Sequence, residues 1–183
     1  LSTSIIILNY NGGNDLFECI ESIHQTKNCQ YEIILIDNNS TDESHINCKN
    51  KFPQIKLIKN NKNIGMVARN IGIKNTKSDF VVFLDSDTIV EKDWLENLIE
   101  SFKKHGEGLY QPKILEKKNK NVISSYGNMI NIFGFGFARE RNNIENIQFE
   151  KFSKIGYTSG ACTFSSLDTI KKIGGIDEIF FAY

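Results

Sequence analysis

The chain has 183 residues, 40% apolar and 24% charged, which suits one soluble domain with a sizeable core. Its 22 basic and 22 acidic residues leave no overall field toward nucleic acid or an anionic membrane, and no apolar run nears the ~18 residues that span a bilayer. No signal peptide is visible, and Cys19, Cys29, Cys48 and Cys162 form no CxxC pair, so they read as free thiols in a reducing, cytoplasmic compartment.

Ser4–Leu8 is a short apolar strand, ended by the loop Asn9-Tyr10-Asn11-Gly12-Gly13. Leu16, Cys19, Ile20 and Ile23 recur at helical spacing, so a helix is predicted from a cap at Asn14 or Asp15 to about Gln25. Tyr31–Ile36 is a second strand, running into Asp37-Asn38-Asn39-Ser40-Thr41-Asp42. Ser40 or Thr41 can cap a short helix through about Asn50, with Glu43 in its first turn. Ile55–Ile58, after Pro53, is a third strand, and a helix fits Ile64 to about Asn75. The apolar run Phe80–Leu84 leads directly into Asp85-Ser86-Asp87, and a helix from about Lys92 to Lys104 turns Trp94, Leu95, Leu98, Ile99 and Phe102 inward. This alternation predicts right-handed crossovers and an α/β fold: a mainly parallel central sheet with helices on both faces.

The second half is less regular. Tyr110–Leu115 and Tyr157–Phe164 are predicted strands, Glu116–Asn121 a polar loop, Ile130–Ala138 a hairpin or flap, and Arg139–Glu150 a charged, exposed stretch. Ser165 or Ser166 caps a last helix to about Ile173, which Gly174-Gly175 ends. Neither an internal repeat nor a linker divides the chain, so residues 1–183 are read as a single domain.

Phe80–Leu84 is apolar without interruption, as a strand covered on both faces requires. Ligands of such sheets bind outside the carboxyl ends of the strands. Three strand ends carry polar clusters: Asn9-Tyr10-Asn11, Asp37-Asn38-Asn39 and Asp85-Ser86-Asp87. In a parallel sheet they converge, although each alone reads equally as turn chemistry. Two carboxylates about 4 Å apart repel by roughly 4 kcal/mol at an effective dielectric of 20. A magnesium or manganese ion removes that cost and takes phosphate oxygens as well, so the pattern points to a metal-bound diphosphate. Asp37 can accept from a base imide or ribose hydroxyl, and Tyr10 offers an aromatic surface. Gly65 lets a helix start close to a ligand, and Arg69, one turn on, is either a phosphate clamp or an ordinary solvated arginine. His24, His45 and His105 are scattered on predicted helices and default to the surface, and Asp168 offsets a helix dipole. Ile130, Phe133, Phe135 and Phe137 fit an acceptor flap, a partner patch, a membrane contact or, most commonly, core.

These residues also carry a resemblance. Ile-Ile-Ile-Leu-Asn-Tyr-Asn-Gly, Ile-Leu-Ile-Asp-Asn-Asn-Ser-Thr-Asp, Asn-Ile-Gly-Met-Val-Ala-Arg-Asn-Ile-Gly, Asp-Ser-Asp and Ile-Gly-Gly-Ile-Asp-Glu-Ile-Phe-Phe occur in the order of the family-two inverting glycosyltransferases and cover nearly the whole chain. The chain resembles that family, whose fold is the Rossmann-like GT-A fold. The resemblance implies a nucleotide-diphosphate sugar donor bound by the half up to about residue 105, and a saccharide or lipid-linked acceptor on the half beyond it. Asn9, Tyr10, Asn11, Asp37, Asn39, Asn63, Gly65 and Arg69 would line the donor pocket. Asp85 and Ser86 would face the ribose or metal shell, Asp87 would ligate magnesium or manganese, and Gly160 and Ala161 would edge the acceptor site. Asp177 and Glu178 match the family's Gly-Gly-Phe-Asp-Glu, with Ile176 in place of Phe.

The family's acceptor-activating base normally sits in a Glu-Asp pair just after this motif, beyond Tyr183. The chain is therefore expected to be C-terminally incomplete, able to bind donor without catalysing; Asp177 and Glu178 are weaker candidates for the base. Peripheral association at the inner face of the membrane is implied by analogy alone. Two rivals remain. Phe-Leu-Asp-Ser-Asp-Thr resembles the nucleophile motif of haloacid-dehalogenase-like phosphatases, with Asp85 phosphorylated, but three strand–helix units precede it here. The other is a non-catalytic nucleotide-binding domain. A nucleotidyltransferase would need a Gly-rich triphosphate loop after the first strand, and none is present.

Overall fold

A computed structural model of the chain describes residues 1–146, 152–179 and 181. Residues 147–150 of the predicted exposed stretch, and Phe180 and Tyr183 at the C-terminal end, lie outside the described residues.

The first half alternates as the sequence dictates. Strand β1 (Ser2–Asn9) leads to helix α1 (Gly13–Ile23), β2 (Gln30–Asp37) to α2 (Ser44–Lys51), and β3 (Lys56–Lys59) to a 3-10 turn (Gly65–Ala68) and α3 (Arg69–Lys74). Strand β4 (Phe80–Asp85) then leads to α4 (Trp94–His105). The short strands β5 (Ile114–Leu115), β6 (Ile123–Ser125), β7 (Asn128–Ile130) and β8 (Gly136–Ala138) follow, before β9 (Cys162–Ser166) and α5 (Leu167–Lys172). The central sheet has the order β3-β2-β1-β4-β9, with β1–β4 parallel and β9 antiparallel to β4.

Strand alternation divides the core. Ile5, Ile7, Ile33, Leu35, Val82 and Leu84 pack on Leu16 and Ile20 of α1 and Leu95 and Leu98 of α4. Ile6, Ile34, Ile36, Val81 and Phe83 pack on Ala68 of the 3-10 turn and Leu167 and Ile170 of α5. Each fully buried aliphatic side chain contributes about 1.5–3 kcal/mol, and both faces of the sheet are thereby covered.

Several boundaries differ from the expectation. Helix α1 is capped by Gly12 rather than Asn14 or Asp15, and Asn14 bonds Glu18 instead. Helix α2 begins at Ser44 because Ser40 and Thr41 are committed to the first loop: Asn11 Oδ1 accepts the Thr41 and Asp42 N–H groups. The helix expected over 64–75 forms over Gly65–Lys74 without a gap, but its first turn is 3-10 rather than α. Tyr110 makes only an isolated bridge with Phe164, and the later strand runs over Cys162–Ser166 rather than Tyr157–Phe164. Ser166 caps α5 by accepting the Thr169 N–H. His45 is buried rather than at the surface, while Ile130, Phe133, Phe135 and Phe137 stay exposed on the β7–β8 hairpin rather than entering the core. Among the described residues no helix is long and apolar enough to cross a membrane.

Candidate functional site

Strand register brings the three polar clusters to one edge. Asn9 lies opposite Asp37 between β1 and β2, and Leu8 lies opposite Asp85 between β1 and β4. The ends of β2 and β4 are thus two strand spacings apart, about 10 Å. Their side chains leave by opposite faces: Asp37 toward His45 of α2, Asp85 toward Arg69 of α3.

Asn9 is fully buried and organises the first loops. Its Nδ2 donates toward Asp37 Oδ1 (3.1 Å), Ser40 Oγ (3.0 Å) and Ser44 Oγ (3.2 Å), and its Oδ1 accepts the Gly12 N–H (3.1 Å). Asp37 is 3% exposed, and its Oδ2 accepts the Ser40 N–H at 3.2 Å. His45 Nδ1 is 3.3 Å from Asp37 Oδ1 but not aligned to donate to it. Asn11, in the left-handed region at φ 55°, joins the loop after β1 to Ser40 and Thr41. Tyr10 and Asn39 are exposed at this rim. Burial alone would raise the Asp42 carboxyl, but bonds from the Ser44 hydroxyl and from the Gly13 and Ser44 N–H groups, with His45 nearby, hold it below the ordinary value.

Asn38, buried at 1%, is the post of the next loop. Its Nδ2 donates to Asn63 Oδ1 (2.6 Å) and the Gly65 carbonyl (3.2 Å), while its Oδ1 accepts from Asn60 Nδ2 (3.0 Å) and the Ile64 N–H (3.1 Å). Gly65 must be glycine twice over: its φ is +66°, and a Cβ would sit 1.9 Å from the Phe181 carbonyl oxygen. The Met66 N–H donates to that same oxygen at 2.9 Å. The close approach expected at Gly65 is therefore filled by the chain's own C-terminal segment.

Arg69, 3% exposed, donates to Asp85 Oδ1 and to the Gly160 carbonyl (3.2 Å), over the ring of Phe83. The Asp85 N–H donates to the Ala161 carbonyl (3.0 Å), so the Gly160-Ala161 segment is pinned to the end of β4. Burial raises the Asp85 carboxyl above the ordinary range; Arg69 opposes this by charge and hydrogen bond, and Asp87 adds to the rise. Asp87 is exposed, beyond the strand. Ser86 Oγ would lie 3.5 Å from a Cβ on Gly12, which shows how closely the loops after β1 and β4 approach. Among the described residues no group of three or more His, Cys, Asp or Glu could hold a metal alone. Asp85, whose Oδ1 accepts from Arg69, and exposed Asp87 are the carboxylates here that could hold a hard divalent cation, with ligand oxygens completing its shell. The Cys19 and Cys162 thiols near this edge are buried, and burial pushes both up, Cys162 to about 12.

The C-terminal motif lies across α3. Asn70 Nδ2 donates to the Ile176 carbonyl (2.7 Å) and its Oδ1 accepts the Ile176 N–H (2.9 Å). Asp177 and Glu178 are exposed, and Asp177 Oδ1 accepts the Ile179 N–H (3.0 Å), closing a turn. Asn38, Ser40 and Asn70 were not among the expected site residues. Asn38 and Ser40 stand inside the polar cluster that points to the loop, but sequence does not show which member turns inward. Asn70 follows Arg69 directly and carries no such signal.

Residues 4–174 match the sequence profile described as Glycosyl transferase family 2. The chain is 30% identical over 181 residues to the glycosyltransferase GlyG of Streptococcus pneumoniae serotype 4 (92% of this chain, 56% of that one). It is 34% identical over 157 residues to the poly(ribitol-phosphate) beta-N-acetylglucosaminyltransferase TarP of Staphylococcus aureus strain N315 (82% and 46%). It thus spans about half the length of these relatives. Among solved structures, GalNAc-T7 with UDP, GalNAc and Mn2+ superposes with a TM-score of 0.75 at 19% identity (97% of this chain, 37% of that one). S. aureus TarS 1–349 with UDP gives 0.72 at 17% (100% and 52%). These two likenesses establish the GT-A fold, as expected. None of the comparisons supports the phosphatase alternative, whose Asp85 is here paired with Arg69.

Proposed function

The chain belongs to glycosyl transferase family 2, and from that premise we propose that it takes a sugar from a nucleotide-diphosphate donor to an acceptor hydroxyl with inversion. The observation that carries this reading is the single sheet edge gathering Asn9, Asp37 and Asp85, with Asp87 exposed just beyond it. The donor lies across that edge. Asn9, Asn11 and Asn38 fix the loops around the nucleoside, with Tyr10, Asn39 and Asn63 at the rim. Asp37 chiefly sets the loop, and its Oδ2, which carries one N–H bond, has capacity left for a base or ribose hydroxyl. Arg69 holds Asp85 in place from beneath. Asp87 and Asp85 hold a divalent cation, magnesium or manganese, which when bound supplies positive charge to the departing nucleoside diphosphate. GalNAc-T7 was crystallised with Mn2+ and UDP, which is consistent with such a cation.

Gly160 and Ala161, tied to Arg69 and Asp85, edge the acceptor side. The acceptor is a saccharide or saccharide-bearing polymer, as TarP's name gives for that relative. Asp177 Oδ1 serves its own turn, which leaves Asp177 and Glu178 weaker candidates for the proton acceptor of the attacking hydroxyl. The free thiols, three of them buried, suit a cytoplasmic setting. Melting curves with UDP and GDP, each with and without manganese, test the reading. A nucleotide diphosphate should raise the melting temperature, and Asp87→Ala should abolish the manganese-dependent part. An unchanged manganese increment in that variant would remove Asp87 from the metal site.

A further inference from the structure

The chain's charge balance hides a segregation. From Ser44 to Ser78 there are seven lysines and Arg69, and no aspartate or glutamate; the remainder holds 14 basic and 22 acidic residues. This segment builds α2 on one face of the sheet, the edge strand β3, and the 3-10 turn and α3 on the other face. Lys56, Lys59, Lys62, Lys74 and Lys77 are exposed. Among the described residues none of the five is in an ion pair. Lysines mark both ends of β3. Lys59 lies opposite Asp37 at the site edge, and Lys62 adjoins Asn63. At the other end of β3, Lys56 Nζ donates to the Asn75 carbonyl (2.8 Å), between Lys74 and Lys77.

Three ordinary explanations fall short. Lysines on an edge strand block unwanted strand pairing, which accounts for Lys56 and Lys59 but not for Lys62, Lys74 and Lys77. Steering of a small anionic donor needs Lys59 and Lys62 only, not charges at the far end of the strand. A membrane contact would place apolar residues beside the basic ones. Ile46 and Phe181 are exposed near this segment, but the cluster of exposed apolar residues, Ile132, Phe133 and Phe135, sits on the β7–β8 hairpin, which is bridged at Tyr157 to the segment before β9, at the opposite edge of the sheet. We infer that the β3 edge is a docking track for an extended polyanion, a phosphate-bearing acceptor chain, leading to the sheet edge where Asn9, Asp37 and Asp87 lie. The track stands on charge and position; its occupant's role as acceptor rests on the transferase reading above.

The test uses the whole chain and a fluorescent long-chain polyphosphate as probe. Wild type should bind it and lose about tenfold in affinity as salt rises from low to physiological strength. Lys59→Gln, Lys62→Gln and Lys77→Gln combined should weaken binding by about tenfold at fixed salt. The UDP melting shift should stay as in wild type, and so should polyphosphate binding by a Lys103→Gln, Lys104→Gln, Lys171→Gln control. The inference is overturned if the track variant binds as wild type does, if the control loses as much, or if the track variant loses its UDP shift. Tighter binding of duplex DNA or of phosphatidylcholine–phosphatidylglycerol vesicles than of polyphosphate also overturns it. A wild type without a UDP shift whose track variant still loses polyphosphate would count against the transferase reading while supporting the track.

Discussion

A guanidinium at 3% exposure depends on its partners, and Arg69 has two acceptors, Asp85 and the Gly160 carbonyl. Removing it leaves a raised carboxyl without its counter-charge and releases the acceptor-side segment. Asp85 is partly open to solvent, its side chain 41% exposed, so the cost falls below that of a fully buried pair. Arg69→Ala should therefore lower stability by about 2 kcal/mol, read by urea unfolding. A fall under about half a kcal/mol would mean that the pair contributes little. Thiol chemistry gives a second reading of the same interior. Burial pushes the Cys48 thiol up to about 11 and Cys162 to about 12, and Cys19 higher still, while Cys29 is partly exposed. Native protein at pH 8 should give one fast equivalent with a thiol reagent, from Cys29, and four after denaturation. At this scale the sequence shows residue type but not direction. Asp37 and Asp87 both read as ligand-facing, yet the pleat turns Asp37 inward to Asn9 and Ser40 while Asp87, beyond the strand, stays open.

Elements hold the site through close contacts that composition does not display. Helix α3 lies on β1 at Gly72, where a Cβ would stand 2.5 Å from Ile6 Cγ2, with no space to move in a core fully buried at Ile6. Gly72→Ala should cost about 1–3 kcal/mol by overpacking, despite alanine's better helix propensity; a stabilised variant would show that α3 can slide. Asn38→Ala strands the Asn60, Asn63 and Ile64 partners, so it should cost about 1–3 kcal/mol and weaken nucleotide binding, seen as a smaller UDP melting shift. The alternating half of the fold was legible because apolar runs and helical spacing are local properties, and β1, β2 and β4 agree with them closely. The direction of β9 was not legible: its pairing with β4 depends on a strand some eighty residues earlier, and an apolar run carries no sign of direction. The 3-10 first turn leading into α3 was equally hidden, since Gly65 meets the distant Phe181 carbonyl rather than only its neighbours.

For the molecule as a whole, acid should act through the carboxylates that fasten its parts. Asp42 ties the loop after β1 to the start of α2. Glu107, exposed after α4, accepts from Thr169 and Ser166, and these bonds hold its carboxyl below the ordinary value, as those from Ser44 and Gly13 do for Asp42. A folded-state pKa below the unfolded one means that the unfolded chain binds the proton more readily. The stabilisation is therefore complete above the ordinary carboxylate range, about pH 4, and is lost as pH falls through the lowered folded values. Asp85 has the opposite sign, because its raised carboxyl favours the folded state when protonated, and its contribution diminishes as pH rises. With two fastening carboxylates against one, the urea midpoint should fall between pH 5 and about pH 3. Asp42→Asn should be less stable than the parent at pH 7 and converge on it near pH 3, where the parent's own Asp42 is increasingly protonated. A constant gap between the two proteins across that range would show that the bonds to Ser44 and Gly13 do not depend on charge.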